Sequence, residues 1–412
     1  MSVIELKSAH AAVAPPRLDD EALHAAQVIM LYHAVLNRNP DKSGLHHYVN
    51  LLNNGTDILD VFRAFMSSPE AIAAAPHNDC LGELRPATTA TARPPRTLAW
   101  NAENRPVEVT DGFSILEMEL TNRCPFRCVM CPRTDHMTRA LGQMDLSVFK
   151  RVIDELLEMD PDYGTTHDPI WLHHFGESLV HPDFGDFIRY ARSRGIGTRM
   201  SINPLMLSDG IGDELLDAGP VELQVSLDGH NDESFEKIRG LPNAYEQSKR
   251  NLLRFLDKKV ARRKNIFIKL SVIDFPLNNR TEEENRVEWE RQWRSVPGLD
   301  AFLWKGFCTW NGDAPEIVAL GKRDTSATEL MRRHRNDFKV TCDWPWKRMV
   351  VAWNGDVLSC CYDYDAKYVL GNVTRQSLRE IWNGEPIQAL RREFSSGCVT
   401  NSLCANCEYL RT

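Results

Sequence analysis

Between residues 112 and 310, six short apolar runs alternate with amphipathic stretches, and this alternation restricts the fold more than any other feature of the chain. The runs are "SILEMEL" (114–120), "IWLHHF" (170–175), "TRMSI" (198–202), "ELQVSL" (222–227), "IFIKLSVI" (266–273) and "AFLWKGF" (301–307). Each has the length and composition of a strand. Between most of them lie stretches such as "LSVFKRVIDELLEM" and "FGDFIRYARSR", whose apolar residues recur every three to four positions, as on a helix with one buried face. Strands joined by helices predict a parallel, barrel-like α/β sheet over residues 111–310. In such sheets the chemistry collects at the C-terminal strand ends.

The flanks read differently. Residues 1–75 form a small all-α domain in this reading, after an Ala- and Pro-rich start (1–18) that reads as disordered. Val28, Leu31 and Val35 share one helix face; Leu45, Tyr48 and Leu52 share a second. Pro and Gly in "NRNPDKSG" separate them, Asn54-Gly55 makes a turn, and Asp57 caps a third helix carrying Ile58, Val61, Phe62 and Phe65. Residues 76–110, with "RPATTATARPPRTLAW", read as a linker. Residues 311–412 form a cysteine-rich C-terminal module, in which "RMVVAWNGDVLSCC" reads as a hairpin turning at Asn354-Gly355.

The chain of 412 residues carries a net charge of −8, and its one basic stretch, "KKVARRK", is short, so nucleic-acid binding is not expected. No apolar run reaches the roughly 18 residues of a membrane span. The N-terminus lacks the pattern of a signal peptide, which predicts a cytoplasmic protein. Disulfides are unusual there, so the eleven cysteines suggest metal or redox chemistry. Three lie at 124–131 and six at 342–407, leaving Cys80 and Cys308 apart.

The first group is "ELTNRCPFRCVMC", with Cys124, Cys128 and Cys131 just past the first strand. Three thiols can be core packing, part of a zinc site, though structural zinc takes four ligands, or the ligands of an iron–sulfur cluster. Three thiolates on a four-iron cluster leave one iron open for a ligand. The Cys-x3-Cys-x2-Cys spacing after the first β strand resembles the radical S-adenosylmethionine (SAM) enzymes. That resemblance implies a partial (β/α)6 barrel and a [4Fe–4S] cluster whose open iron chelates SAM. Reductive cleavage of SAM then gives a 5′-deoxyadenosyl radical that takes a hydrogen atom from substrate. An external one-electron donor such as flavodoxin or ferredoxin is implied too.

Other segments match the same family. "HFGESLVHPDF" resembles its Gly-Glu motif, which implies that Glu177 accepts a hydrogen bond from the SAM ammonium while Gly176 allows close backbone approach; alone, such a pair is usually a turn. "MSINPLML" resembles its Thr-Asn-Gly stretch, with Asn203 on the Asn and Pro204 in place of the Gly. By the same resemblance Ser226, in "VSLDG", and Arg239, in "IRG", contact the SAM ribose or carboxylate, while Asp228 serves the substrate or a turn. Met130 stands where an aromatic residue often packs near the adenine.

The tail, "CDWPWKRMVVAWNGDVLSCCYDYD…LCANC", resembles the auxiliary-cluster region called SPASM, or its shorter twitch form. Adjacent Cys360 and Cys361 seldom share one small cluster. The expectation is one auxiliary [4Fe–4S] cluster on Cys342, Cys360, Cys404 and Cys407, with Cys361 and Cys398 spare; a zinc ribbon is the bland reading. Members with one tail cluster include dehydrogenases and epimerases of sugars and aminocyclitols in natural-product biosynthesis, and peptide maturases. The expected substrate is therefore a carbohydrate-like small molecule, oxidised or epimerised at a carbinol carbon; the alternative is a peptide. Cys308, in "WKGFCTWNGD", can donate a hydrogen atom in epimerisation, or be a buried structural thiol. Asp313 in the same loop can serve as the base of a dehydrogenation, or be a solvated loop residue. The N-terminal "LNRNPDKSGLHHYV" resembles a small helical domain of unassigned function found beside glycan-related proteins, an analogy that favours carbohydrate. A partner-docking adaptor is the rival reading.

Overall fold

The computed structural model describes residues 105–109, 112–273, 282–321, 342–405, 407, 409 and 410, and within the N-terminal part residues 24, 25, 28, 29, 32, 40–54, 56 and 61. It divides into two compact units, 1–90 and 91–412. In the first, helix α1 (Lys42–Asn53) starts at Asp41, whose carboxylate accepts the Gly44 N–H at 2.8 Å. Val28, Tyr32, Val49, Leu52 and Val61 form its core, with Leu45 and Tyr48 against them. The expected contributions of Leu31, Val35, Ile58, Phe62 and Phe65, the disordered start and most of the linker lie outside the described residues, as does Cys80.

The second unit is built on one sheet in the order β6-β5-β4-β3-β2-β1-β7-β8-β9. Its first six strands are parallel and follow chain order: β1 (Ser114–Met118), β2 (Ile170–Trp171), β3 (Thr198–Ile202), β4 (Glu222–Ser226), β5 (Phe267–Ile273) and β6 (Ala301–Lys305). The crossovers carry helices α2 (Leu146–Met159), α3 (Phe184–Ser193), α4 (Asp209–Ala218), α5 (Asp232–Arg239), α6 (Tyr245–Ala261) and α7 (Glu282–Trp293). Alternation along each strand sets the two faces. Ile170, Met200, Leu223, Val225, Ile268 and Leu270 are buried in one apolar cluster with Phe149 and Val152 of α2 and Leu215 of α4. At about 1.5–3 kcal/mol for each such side chain, this layer fixes the register. The opposite face is polar and lines the inside of the partial barrel.

Two differences from the sequence reading stand out. Strand β2 stops at Trp171, well short of the expected Phe175. Phe175 N–H turns to the Glu119 carboxylate (3.3 Å) and the His174 ring meets the Cys361 carbonyl (3.0 Å), so these residues leave the ladder for tertiary partners. The second difference concerns the tail. After helix α8 (Pro315–Gly321), strand β7 (Arg348–Val351) pairs in parallel with β1, so the C-terminal module continues the barrel sheet. Its hairpin to β8 (Asp356–Leu358) forms as the pattern foretold, with Gly355 at φ +85°. Strand β9 (Val369–Asn372), α9 (Leu378–Trp382) and α10 (Glu385–Ser396) complete it.

Candidate functional site

The loop after β1 carries Cys124, Cys128 and Cys131 and is held by its own polar groups. The Arg133 guanidinium donates to the Cys124 (3.0 Å) and Phe126 (2.8 Å) carbonyls, and Cys131 N–H to the Cys128 carbonyl (3.1 Å). The end of α5 clamps it from outside, with Arg127 N–H on the Arg239 carbonyl and Val129 N–H on the Ile238 carbonyl, both at 3.1 Å. Burial, then Glu177, pushes the Cys124 thiol up to about 12; burial, then Cys128, pushes Cys131 up to about 12. Without a bound group these thiols are neutral, so metal loading must release protons.

Beside this loop sit the Gly-Glu and Asn segments. Gly176 passes so close to the loop that a Cβ there would lie 1.8 Å from the Thr121 carbonyl oxygen. Glu177 is buried; its carboxylate accepts Asn203 N–H (2.9 Å) and Leu179 N–H (3.2 Å). Burial lifts its pKa to about 7, against the pull of those two bonds. Asn203 accepts Leu205 N–H at 3.0 Å, but its buried amide nitrogen has no partner among the described residues. A donor so buried asks for an acceptor that the chain does not supply. Ser226 meets Ser271 of the neighbouring strand at 3.2 Å, and Met130 is buried beside Cys128 in the main core.

Arg239 and Asp228 have partners that the sequence reading did not foresee. Arg239 forms an ion pair with Asp228 and donates to Cys128 Sγ at 3.4 Å. Burial works against the guanidinium's charge, but Asp228 and Cys128 outweigh it and its pKa rises. Asp228 is fully buried, with its other oxygen on Ile273 N–H (2.7 Å). It therefore anchors Arg239 against a cluster-loop thiol.

The four tail cysteines named from the sequence meet. Cys342, Cys360, Cys404 and Cys407 line one cavity, with Trp344, Tyr362, Phe394 and Leu410 among its walls. Burial, then Cys360, pushes Cys342 up to about 12, and burial also raises Cys404. Cys398 is exposed and outside the cavity. Cys361 faces away from it, towards Glu117 and Cys308; a bond with the Cys360 thiol and then burial raise its pKa. Among the described residues, no three His, Cys, Asp or Glu side chains converge tightly enough for a single metal ion.

Residues that the sequence reading did not single out join the two cysteine groups. Glu119, fully buried, takes a two-pronged bond from Arg139 (2.5 and 2.6 Å) and accepts Trp353 N–H (3.3 Å). Burial would raise its pKa; the Arg139 bond and nearby His174 overcome this and lower it. Arg139 also donates to the Tyr364 carbonyl (2.7 Å), and Asp365 accepts the N–H groups of Thr138 and Arg139. Trp310, at φ +58°, donates its indole N–H to the Met130 carbonyl (2.8 Å) and packs on Phe175 (5.0 Å) and Tyr362 (5.7 Å). Its own N–H reaches Cys308 Sγ at 3.1 Å. Asp313 is held by Lys367 (2.5 Å) and Asn311 (2.8 Å). A signal for Glu119 was present: two glutamates inside an otherwise apolar strand, "SILEMEL".

Residues 118–273 match the model of the radical SAM superfamily, and 342–408 match SPASM, an iron–sulfur cluster-binding domain. The chain is a radical SAM enzyme with a C-terminal SPASM domain. Residues 17–75 match a domain of unknown function, DUF4214. SAM and iron–sulfur chemistry follow from the two matched domains. An AdoMet-dependent heme synthase of Methanosarcina barkeri is 24% identical over 348 residues, covering 73% of this chain and 93% of that protein. Among solved structures, Streptococcus suis SuiB bound to its precursor peptide SuiA aligns with a TM-score of 0.50 at 12% identity, over 96% of this radical SAM enzyme and 88% of SuiB. BtrN in complex with AdoMet and 2-DOIA aligns with a TM-score of 0.45 at 18% identity, over 73% and 94%. These relatives act in different settings, so kinship alone names no substrate. No helix among the described residues is long and apolar enough to cross a membrane.

Proposed function

We propose that the protein oxidises a carbinol carbon of a sugar- or aminocyclitol-like small molecule, using one SAM-binding [4Fe–4S] cluster and one auxiliary cluster. Cys124, Cys128 and Cys131 would hold the first and leave one iron for SAM; Cys342, Cys360, Cys404 and Cys407 would hold the second. When bound, these groups supply a 5′-deoxyadenosyl radical that removes a hydrogen atom and an acceptor for the electron that remains. A flavodoxin- or ferredoxin-type donor would provide the starting electron.

The chain's own residues do the rest. Glu177 presents a buried carboxylate for the SAM ammonium, and Asn203 an unused amide donor beside it. Gly176 keeps the backbone close enough for both to face the cluster loop. Arg239 donates to the Cys128 thiol and, tied to Asp228, keeps a fixed position. Trp310, bonded to the Met130 carbonyl and packed on Phe175, braces the loop. Asp313 is paired with Lys367 at 2.5 Å, so Lys367 must move before Asp313 can meet a substrate hydroxyl.

The observation that carries this reading is the tail cavity: four thiols line one space, in a module joined to the barrel and cluster loop by the Trp353–Glu119 and Arg139–Tyr364 bonds and by Trp310 on Tyr362. A closed four-thiolate site suits electron acceptance better than substrate ligation. A second reading, epimerisation, rests on Cys308, a half-buried thiol outside both groups beside Cys361 and Tyr362. The test is to incubate anaerobically reconstituted protein with SAM, reductant and a panel of cyclitols, sugars and peptides. The dehydrogenase reading expects 5′-deoxyadenosine together with a ketone two hydrogens lighter than the substrate. Deuterium uptake from solvent without loss of mass, abolished in Cys308→Ala, would replace it by epimerisation. Turnover with peptides alone would sink both.

A further inference from the structure

Residues 105–109, the end of the stretch read as a linker, lie against the tail module and are bonded to it along their length. Val109 and Asn383 exchange two bonds, each of 3.0 Å. The fully buried Arg391 donates to the Val107 carbonyl (3.0 Å) and to the Pro345 carbonyl (2.9 Å), and the Trp346 indole donates to the Pro106 carbonyl (2.6 Å). At the start of this strap the Arg105 guanidinium donates to the Cys342 carbonyl at 2.6 Å and lies over the Trp346 ring, 4.9 Å from its centre. The strap thus places a cation against the backbone of the first tail thiol. Asp343, the residue after Cys342, has Lys347 as its partner at 2.5 Å.

The first cysteine group has an arginine too, in a different electrostatic setting. Arg239 donates to Cys128 Sγ, but the buried Asp228 pairs with it, so guanidinium and carboxylate together bring no net charge. Net charge and hydrogen bonding around an iron–sulfur cluster help to set its reduction potential. A nearby cation stabilises the reduced form, which is the more negative one, and raises the potential. The two proposed tasks call for opposite settings. A cluster that reduces SAM must part with its electron readily, while one that accepts the substrate's electron must hold it.

We propose that Arg105 is a positioning residue that raises the reduction potential of the auxiliary cluster, its charge held at the Cys342 backbone by the strap and the Trp346 ring. The proposal rests on the reading that Cys342, Cys360, Cys404 and Cys407 hold that cluster, and deepens it: a segment outside the cysteine-rich sequence sets how strongly the tail accepts an electron.

The test is a potentiometric titration of the full chain, anaerobically reconstituted, with the reduced clusters read by electron paramagnetic resonance. A variant with Cys124, Cys128 and Cys131 changed to Ala shows which transition belongs to the tail. Arg105→Met keeps a stem on Trp346 but no charge, and should move the tail transition to lower potential by about tenfold in the reduction equilibrium, about 59 mV for one electron. Arg105→Gln, uncharged yet able to donate to the carbonyl, should do the same. Arg105→Lys, which keeps the charge, should retain most of the potential. In all three the other cluster's transition should stay in place and iron should remain at about eight per chain. A tail transition that does not move in either uncharged variant overturns the proposal. So does an equal fall in Arg105→Lys, which would assign the effect to lost bonding instead of lost charge. Iron dropping to about four in both uncharged variants overturns it too, and would make Arg105 a structural clamp. Unaltered protein that takes up no tail cluster removes the auxiliary-cluster reading and this inference with it. A tail cluster indifferent to Arg105 removes the inference alone.

Discussion

The two cysteine groups are built in opposite ways. The first lies within eight residues of one loop, fixed by bonds that Arg133 and Cys131 make inside it. The second is gathered from three segments spread over more than sixty residues, Cys342, Cys360 and the Cys404–Cys407 turn, and exists only when β7, β8 and the final turn are in place. A locally built loop can hold three ligands and keep one side open. Thiols brought together from three segments can supply a fourth ligand. The difference in construction is what the proposed division of labour needs, an open SAM-binding cluster against a closed auxiliary one.

The sharpest way to break this comparison is to delete each group. Cys124, Cys128 and Cys131 changed together to Ala should abolish 5′-deoxyadenosine formation and lower iron from about eight to about four per chain. Retained cleavage would end the central assignment. Changing Cys342, Cys360, Cys404 and Cys407 should give the same iron loss with 5′-deoxyadenosine formation retained and oxidised product lost. If iron stays near eight, the cage has been misassigned.

The join between the groups comes next in size. Arg139→Ala leaves the Glu119 carboxylate buried and unpaired and should cost about 3–5 kcal/mol of stability, read from the urea midpoint. The double variant Glu119→Gln/Arg139→Met should recover much of that, because no charge is stranded. A loss under 1 kcal/mol in the single variant would show that the two regions do not depend on this pair.

The smallest effect expected is a pH dependence confined to the first group. Glu177 titrates near 7 in the buried site, above its ordinary 4.5. A SAM ammonium favours the carboxylate, so binding releases a proton and SAM affinity should rise with pH until about 7 and level off. Folding has the opposite sign: a raised carboxyl pKa contributes stability below 4.5 that is lost as pH climbs through about 7. Glu177→Gln should flatten both profiles, measured by SAM binding and by denaturation of the metal-free chain. A persistent slope would assign the titration elsewhere.

Much of the scaffold could be read from periodicity. Strand β3 and helix α2 fall where alternation and the helical repeat put them, because each buries one face against the same apolar layer. The hairpin at Gly355 followed from turn chemistry. The truncation of β2 could not be read: "IWLHHF" has strand composition throughout, and only the distant Glu119 carboxylate and Cys361 carbonyl draw Phe175 and His174 away. Arg239 and Asp228 were placed near the site by resemblance, yet their mutual pairing depends on the end of β4 meeting the end of α5.

By itself the sequence determined the alternating α/β scaffold, the thiol triplet and the cysteine supply of the tail. These are local facts, set by side-chain period and by spacing along a short loop. Only the tertiary structure decided that β7 extends the barrel sheet and that Glu119 and Arg139, through Trp353 and Tyr364, tie the first strand and the cluster loop to the tail module. Those depend on strands far apart in the chain curling until their inner faces meet, and no local pattern encodes which charge will then find a partner.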